Sequence, residues 1–252
     1  EWHELLGSKR GVQVELALSR LKAIRKQQNN HLRIWGISAT IGNLVEAMEV
    51  LLGNDAANEK SIVIRSSGKK NMEIHTVLPT SIEVLPWSGH IGLKLLPEIV
   101  NIIRSSQTTL VFTNTRAMAE IWYHHILNYD ENLAGLLAMH HGSLSGEVRD
   151  WVEENLHAGT LKAVICTSSL DLGVDFRPVD TVIQIGSPKG VARFTQRAGR
   201  SGHQPGAVSK IYFIPTHALE LVEISAIKEA VTSNKVEKRE PLVMCFDVLM
   251  QY

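Results

Sequence analysis

The chain is poor in cysteine: it has two, Cys166 and Cys245, far apart and without CxxC spacing. That excludes a disulfide framework and supplies no zinc-type ligand set, which suits a reducing cytoplasm. Cys166 lies in the apolar run Ala163-Val164-Ile165-Cys166, where a thiol behaves as a small buried hydrophobe. Net charge is missing too. Twenty-six Lys and Arg balance 26 Asp and Glu, which argues against a histone-like or tail-type electrostatic binder but leaves room for a local basic face. No apolar run reaches the roughly 18 residues of a membrane span, and these residues hold no signal-peptide pattern; no membrane partner is expected. Internal repeats and low-complexity tracts are also absent. The chain opens Glu1-Trp2-His3 without a methionine and stops inside the apolar pattern from Pro241 to Tyr252. It is expected to be a segment of a longer polypeptide.

What is present is an alternation of strand-like and helix-like segments. With 252 residues there is room for one large domain or two smaller ones. Val14, Leu18, Leu21 and Ile24 have helical spacing within 12–28. Leu32–Ser38 and Ile62–Ile64 read as strands. Asn43 with Glu46 resembles a capping box, and Gly53 is a stop. The polar run 66–71 reads as a linker. Further strands are expected near 74–78, 109–113, 136–139, 162–167, 181–185 and 208–214, with helices at 93–105, 115–128, 145–157 and 190–198. A helix from 216 to 231 reads as a connector. This order predicts right-handed crossovers and a parallel sheet, that is, an α/β fold. Leu110-Val111-Phe112 and Val164-Ile165-Cys166 are the continuous apolar runs that buried parallel strands require.

Ligands of such sheets sit beyond the strand carboxyl ends. Ser38-Ala39-Thr40, Thr113-Asn114-Thr115-Arg116, His140-His141-Gly142-Ser143 and Thr167-Ser168-Ser169 each fall at or just after a strand end. One such cluster reads equally well as ordinary turn residues. Four in register look like a surface that follows a ligand.

From Thr181 to Leu219 there is no acidic residue, yet the stretch holds Lys189, Arg193, Arg197, Arg200 and Lys210. Such a field suits phosphate. Arg193, Arg197 and Arg200, spaced by four and three, share one helix face. Their planar forks can grip phosphate oxygens in pairs, although a solvated basic face is the plainer reading. Gly199 and Gly202 are placed to end that helix and admit close backbone approach.

The run Gln196-Arg197-Ala198-Gly199-Arg200-Ser201-Gly202-His203 resembles motif VI of superfamily 2 helicases, QxxGRxGR. Other motifs follow in order. Glu1-Trp2-His3 is similar to the tail of a DExH box without its leading Asp, and Ser38-Ala39-Thr40 to motif III. Leu110 to Arg116 resembles motif IV. His141-Gly142-Ser143-Leu144-Ser145 with Arg149 resembles the HG element, and Thr167 to Asp175 resembles motif V. The run His3 to Gly11, the Ser-Ser-Leu-Asp-Leu-Gly-Val-Asp form of motif V and the His-ended motif VI are similar to the Lhr family of large helicase-related proteins. Trp2-His3-Glu4-Leu5-Leu6 and Pro86-Trp87-Ser88-Gly89-His90 look most like its bacterial, ligase-associated DNA damage response branch.

The resemblance implies RecA-like lobes: 1–67 as the end of the first, 68–215 as a near-complete second, and 216–252 as a connector with the start of a winged helix. It implies ATP and Mg2+ as cofactors. It assigns the attacking water to Glu1 and coupling to motif III to His3. Ser38 and Thr40 would relay nucleotide state, and Gly173 and Asp175 would lie near the nucleotide. Thr115, Arg116, His141, Gly142, Arg149, Thr167 and Ser168 would hold the nucleic acid. Arg200 would be the arginine finger, aided by Arg197 or Gln196 at the phosphates or the lobe interface. His203 stands where the motif usually has arginine, which leaves its touch on nucleotide open. The implied partner is single-stranded DNA or a tailed duplex, with 3′-to-5′ movement, a repair role, and a functional link to DNA ligase and nuclease in the cytoplasm. RNA or an RNA–DNA hybrid is the alternative substrate. The other alternative is an ATPase-inactive nucleic-acid-binding module, because no GxxxxGK[ST] phosphate loop occurs in these residues.

Some residues have plainer roles. Trp35 and Trp122 are expected to pack in or near cores, and Trp87 to stack on a base only as a secondary reading. His124-His125 and His140-His141 lack the spacing of a zinc site. Glu46 and Glu49 form a helix face, and Asp171 and Asp175 belong to motif V rather than to a metal site.

Overall fold

A computed structural model describes residues 2–30, 32–38, 41–53, 61–65, 71–79, 92–171, 179–202 and 208–250. The chain divides into two units, Glu1–Ser67 with Lys235–Tyr252, and Gly68–Asn234.

The first unit holds helices α1 (Trp2–Leu5), α2 (Lys9–Gln27) and α3 (Leu44–Leu52). Ser8 starts α2 by accepting a hydrogen bond from the Gly11 amide at 3.1 Å, which satisfies one donor that the first turn leaves orphaned. Trp2 is the anchor of a small core with Leu6 and Ala47. Its indole nitrogen donates to Ala47 O at 2.7 Å, and its amide donates to Ile37 O at 2.9 Å. The second stretch of this unit returns along it. The Gly42 amide donates to Glu237 O at 3.1 Å, and the Asn43 side chain pairs with the main chain of Arg239.

Three expectations change here. Leu32–Ser38 and Ile62–Ile64 form no strand among the described residues; apolar runs become strands only when a neighbour takes their N–H and C=O groups. Trp35, expected in a core, is 85% exposed. Asn43 makes no side-chain bond to the α3 backbone. Its carboxamide is spent instead on Glu46 and Arg239.

The second unit is a six-stranded, all-parallel sheet of β1 (Met72–Thr76), β2 (Thr109–Phe112), β3 (Leu137–His140), β4 (Ala163–Cys166), β5 (Thr181–Ile185) and β6 (Ser209–Ile214), in the order β1-β6-β5-β2-β4-β3. Helices α4 (Leu96–Ser105), α5 (Arg116–Tyr129), α6 (Gly146–Ala158), α7 (Val191–Ala198) and α8 (Leu219–Thr232) flank it. The last helix of the chain, α9 (Phe246–Leu249), belongs to the first unit. Strand side chains alternate between two cores, as a period of two demands. Leu110, Phe112, Val164 and Cys166 pack beneath α6, α7 and α8 with Leu156, Phe194 and Ile224. Val111, Ile165 and Ile183 pack beneath α4 and α5 with Ile99, Trp122 and Ile126. Full burial of each such side chain contributes roughly 1.5–3 kcal/mol.

This is the α/β parallel-sheet architecture expected from the alternation, and it fits the RecA-like lobe that the resemblance implies. Residues 216–252, expected as one connector with the start of a further domain, are split. Ile224 and Ile227 of α8 are buried in the second unit's core, where α8 packs against α7. Residues 235–252 belong to the first unit. Among the described residues no helix is long and apolar enough to cross a membrane.

Candidate functional site

The register sets the site. His140 pairs with Cys166, Cys166 with Phe112, Phe112 with Gln184, and Gln184 with Phe213. These form one row across the carboxyl end of the sheet. The residues that leave this row are the ones the motifs picked out.

At β2, Thr113 turns the chain and Thr115 caps α5, its hydroxyl accepting from the Met118 amide at 3.2 Å. Arg116 is exposed and ion-pairs with Glu120, Nε to Oε1 at 2.9 Å. At β3, His141 is buried, and neither ring nitrogen has a hydrogen-bond partner; Glu120 Oε1 is 3.9 Å from its Nε2. A buried imidazole without partners is costly unless another group satisfies it. Gly142 is exposed, and a Cβ there would meet nothing within 4 Å. Ser145 then caps α6 by accepting from Val148 N. Arg149 is half-buried and its Nε has no partner. At β4, Thr167 and Ser168 open a short 3-10 turn, Ser168–Leu170, with Ser168 exposed. Two helix N-termini, with their positive dipole ends, thus open at the carboxyl end of the sheet. That arrangement favours anions.

His140 lies under this edge. Ser169 Oγ lies 2.9 Å from His140 O and 2.7 Å from the ring Nδ1. Its Nε2 is 3.1 Å from Glu153 Oε1. Burial pushes the His140 pKa below its ordinary value, the Glu153 hydrogen bond and charge oppose this, and Arg149 and His141 add to the lowering. Burial also pushes the Cys166 thiol well up, which keeps it protonated and unreactive.

The arginine face of α7 turns inward. Arg197 is 2% exposed. Its Nε donates to Asp171 Oδ1 at 2.7 Å, its Nη2 to Asp171 Oδ2 at 3.1 Å and its Nη1 to Gln184 Oε1 at 2.7 Å. Its guanidinium also lies 4.7 Å from the Phe112 ring centroid, a cation–π contact. Arg193 Nε is 3.6 Å from Asp171 Oδ2, and Arg200 Nη2 donates to the Asp171 main-chain O at 2.6 Å. All three arginines of the acid-free stretch therefore converge on one aspartate from outside it. Arg197, expected at the phosphates or the lobe interface, is fully engaged inside the unit. Arg200 and Gln196 remain half-buried. The helix closes at Gly199, and the left-handed backbone comes at Gly202 (φ 63°).

In the first unit, His3 is buried, with Glu4 Oε1 3.8 Å from its Nε2. The Trp2–Ile37 bond ties its helix to the residue before Ser38, whose buried Oγ has no partner. Glu1, Thr40, Gly173, Asp175 and His203, and also Trp87, lie outside the described residues. Among the described residues no group of three His, Cys, Asp or Glu is placed to hold a metal ion.

Sequence reasoning passed over Glu220. Its buried carboxylate accepts from the Ser187 amide at 2.8 Å and from the Thr216 amide at 2.6 Å, tying together the turns after β5 and β6. The hint was an acid placed just where the acid-free stretch ends.

Comparison with known proteins agrees with this geometry. A family model described as "Helicase conserved C-terminal domain" matches residues 92–204. The ATP-dependent helicase Lhr-Core of Methanothermobacter thermautotrophicus is 35% identical over 255 residues, covering 100% of this chain and 29% of its own. Lhr-Core of Methanocaldococcus jannaschii is 37% identical over 249 residues, covering 98% of this chain and 28% of its own. The solved structure of Mycobacterium smegmatis helicase Lhr bound to ssDNA and AMP-PNP is similar with a TM-score of 0.84 at 29% identity, over 100% of this chain and 32% of that one. The chain thus spans less than a third of the length of these relatives.

Proposed function

Because the chain belongs to the Lhr family of superfamily 2 helicases, we propose that it is the ATP-coupling and strand-holding part of a motor on single-stranded DNA. The observation that carries this is the convergence of Arg193, Arg197 and Arg200 on Asp171 at the carboxyl end of the sheet. The guanidinium groups of Arg193 and Arg197 face the Asp171 carboxylate and that of Arg200 its main-chain oxygen, a gathering of positive charge that fits a polyphosphate.

ATP with Mg2+ supplies the phosphoryl group whose transfer drives movement. Toward it, Arg200 is the finger that neutralises charge on the transferring group, a role worth about 10³–10⁵ in rate in well-studied nucleotide hydrolases. Gln196 assists beside it. Glu1 activates water, His3 couples to motif III, and Ser38 and Thr40 relay the nucleotide state. Family resemblance assigns Gly173 and Asp175 to the nucleotide, with His203 beside them in motif VI. Thr115, Arg116, His141, Gly142, Arg149, Thr167 and Ser168 hold the nucleic-acid backbone. Backbone contacts position without reading sequence, so little sequence preference is expected.

Movement runs 3′ to 5′ on DNA in a repair setting. The test is strand displacement by the full-length protein on DNA, RNA and hybrid duplexes with 3′ or 5′ tails. The reading expects ATP-dependent displacement of 3′-tailed DNA; displacement of 5′-tailed or all-RNA duplexes alone would overturn it. No phosphate loop occurs in these 252 residues, so the chain by itself is expected to hydrolyse no ATP while binding nucleic acid weakly and salt-dependently.

A further inference from the structure

We propose that Asp171 is the positioning residue for Arg200, acting through the buried Arg197. The inference rests on the reading of Arg200 as the arginine finger.

Asp171 makes two kinds of contact with the same helix end. Its carboxylate takes both Nε and Nη2 of Arg197 in a two-pronged pair, which fixes the plane of the guanidinium as well as its place. Its main-chain oxygen takes Nη2 of Arg200. Side-chain and main-chain contacts of one residue therefore set two arginines three positions apart. The rest of the pocket holds Arg197 as well. Gln184 takes Nη1, and Gln184 is itself fixed because its Nε2 donates to Ile185 O and Gly186 O. The Phe112 ring closes one face.

Asp171 is equally constrained. It ends the turn Ser168–Leu170, where buried Leu170 roots the turn in the core, and its amide donates to Ser168 O at 3.1 Å. The same turn carries Thr167 and Ser168 at the exposed edge. A shift of the strand-holding turn would carry Asp171 with it, and Asp171 would carry Arg200. Asp171 thus links the residues facing nucleic acid to the residue facing nucleotide. Catalysis by a positioned charge tolerates little displacement, so loosening this clamp lowers turnover without lowering the affinity for either ligand.

The experiment is a double-mutant cycle in the full-length protein, reading ATP turnover with saturating single-stranded DNA. Asp171→Asn is expected to lower kcat by between about ten- and a hundredfold, with KM for ATP and Kd for DNA changed by less than about twofold. Asp171→Glu keeps the charge and recovers part of the rate. In an Arg200→Ala background, Asp171→Asn is expected to cost nothing further, because its effect passes through Arg200. An equal loss in both backgrounds, or near-normal turnover in Asp171→Asn, overturns the proposal. If Asp171→Asn alone fails to fold, Asp171→Asn with Arg197→Gln removes the uncompensated buried charge, and the same loss of kcat is expected of it. Normal turnover in Arg200→Ala would instead overturn the finger reading, which separates the two failures.

Discussion

The carboxamide of Asn43 takes both polar groups of the Arg239 main chain: its Nδ2 donates to Arg239 O at 2.9 Å, and Arg239 N donates to its Oδ1 at 2.9 Å. A side chain here does what a neighbouring strand would do. It stands just after the Ser-Ala-Thr motif and holds a segment 196 residues away in sequence. Asn43→Ala removes both bonds from a solvent-exposed site, with an expected net loss of about 1 kcal/mol. Hydrogen exchange at the Arg239 amide reads it: protection is expected to fall by roughly fivefold. Unchanged protection would mean that the side chain does not hold the segment.

Two glycines of the second unit predict opposite outcomes on replacement by alanine. At Gly142 a Cβ would meet nothing within 4 Å, so Gly142→Ala is expected to leave thermal stability within about 0.5 kcal/mol. If a strand passes close to the HG element, the same methyl group weakens single-stranded DNA binding. At Gly202, φ is 63° and a Cβ would lie 2.7 Å from Val208 O, so Gly202→Ala is expected to destabilise by more than 1 kcal/mol. Thermal melts beside DNA titrations separate the cases. A fold loss at Gly142 would contradict the open edge.

His140 makes the second unit sensitive to acid. Its folded pKa lies below the ordinary value, chiefly through burial. The stability it contributes is therefore present above about pH 6.5 and is lost as pH falls below that value, where the unfolded chain gains a proton the folded chain refuses. Glu153 reduces the effect by attracting the charged ring, whereas Arg149 and His141 enlarge it. Urea midpoints at pH 7.5 and 5.5 are expected to differ less in His140→Gln than in the unaltered chain. Equal differences would show that His140 is not the titrating group.

The elements that the sequence made legible were those with a local cause. The apolar runs at Leu110–Phe112 and Val164–Cys166 became buried parallel strands, and Thr115 and Ser145 cap helices where chain patterns change. Failures came where the cause is distant. Trp35 read as a core residue and Ile62–Ile64 as a strand, but a strand's partner is not written in its own residues. The spacing of Arg193, Arg197 and Arg200 showed a shared face but not that this face meets Asp171. Asp171 is 26 residues away, in a turn whose carboxyl group had no visible task. The allocation of α8 to the second unit follows from the burial of Ile224 and Ile227 in its core, a destination that the connector reading of 216–231 did not show.

The central claim is that Arg200 serves ATP turnover and not strand binding. ATP hydrolysis by the full-length protein, with and without single-stranded DNA, compared between the unaltered protein and Arg200→Ala, tests it most directly. The account predicts DNA-stimulated hydrolysis that falls by about 10³-fold or more in Arg200→Ala, with DNA affinity changed by less than about threefold. Near-normal hydrolysis in the variant, or loss of DNA binding in proportion to turnover, would contradict it.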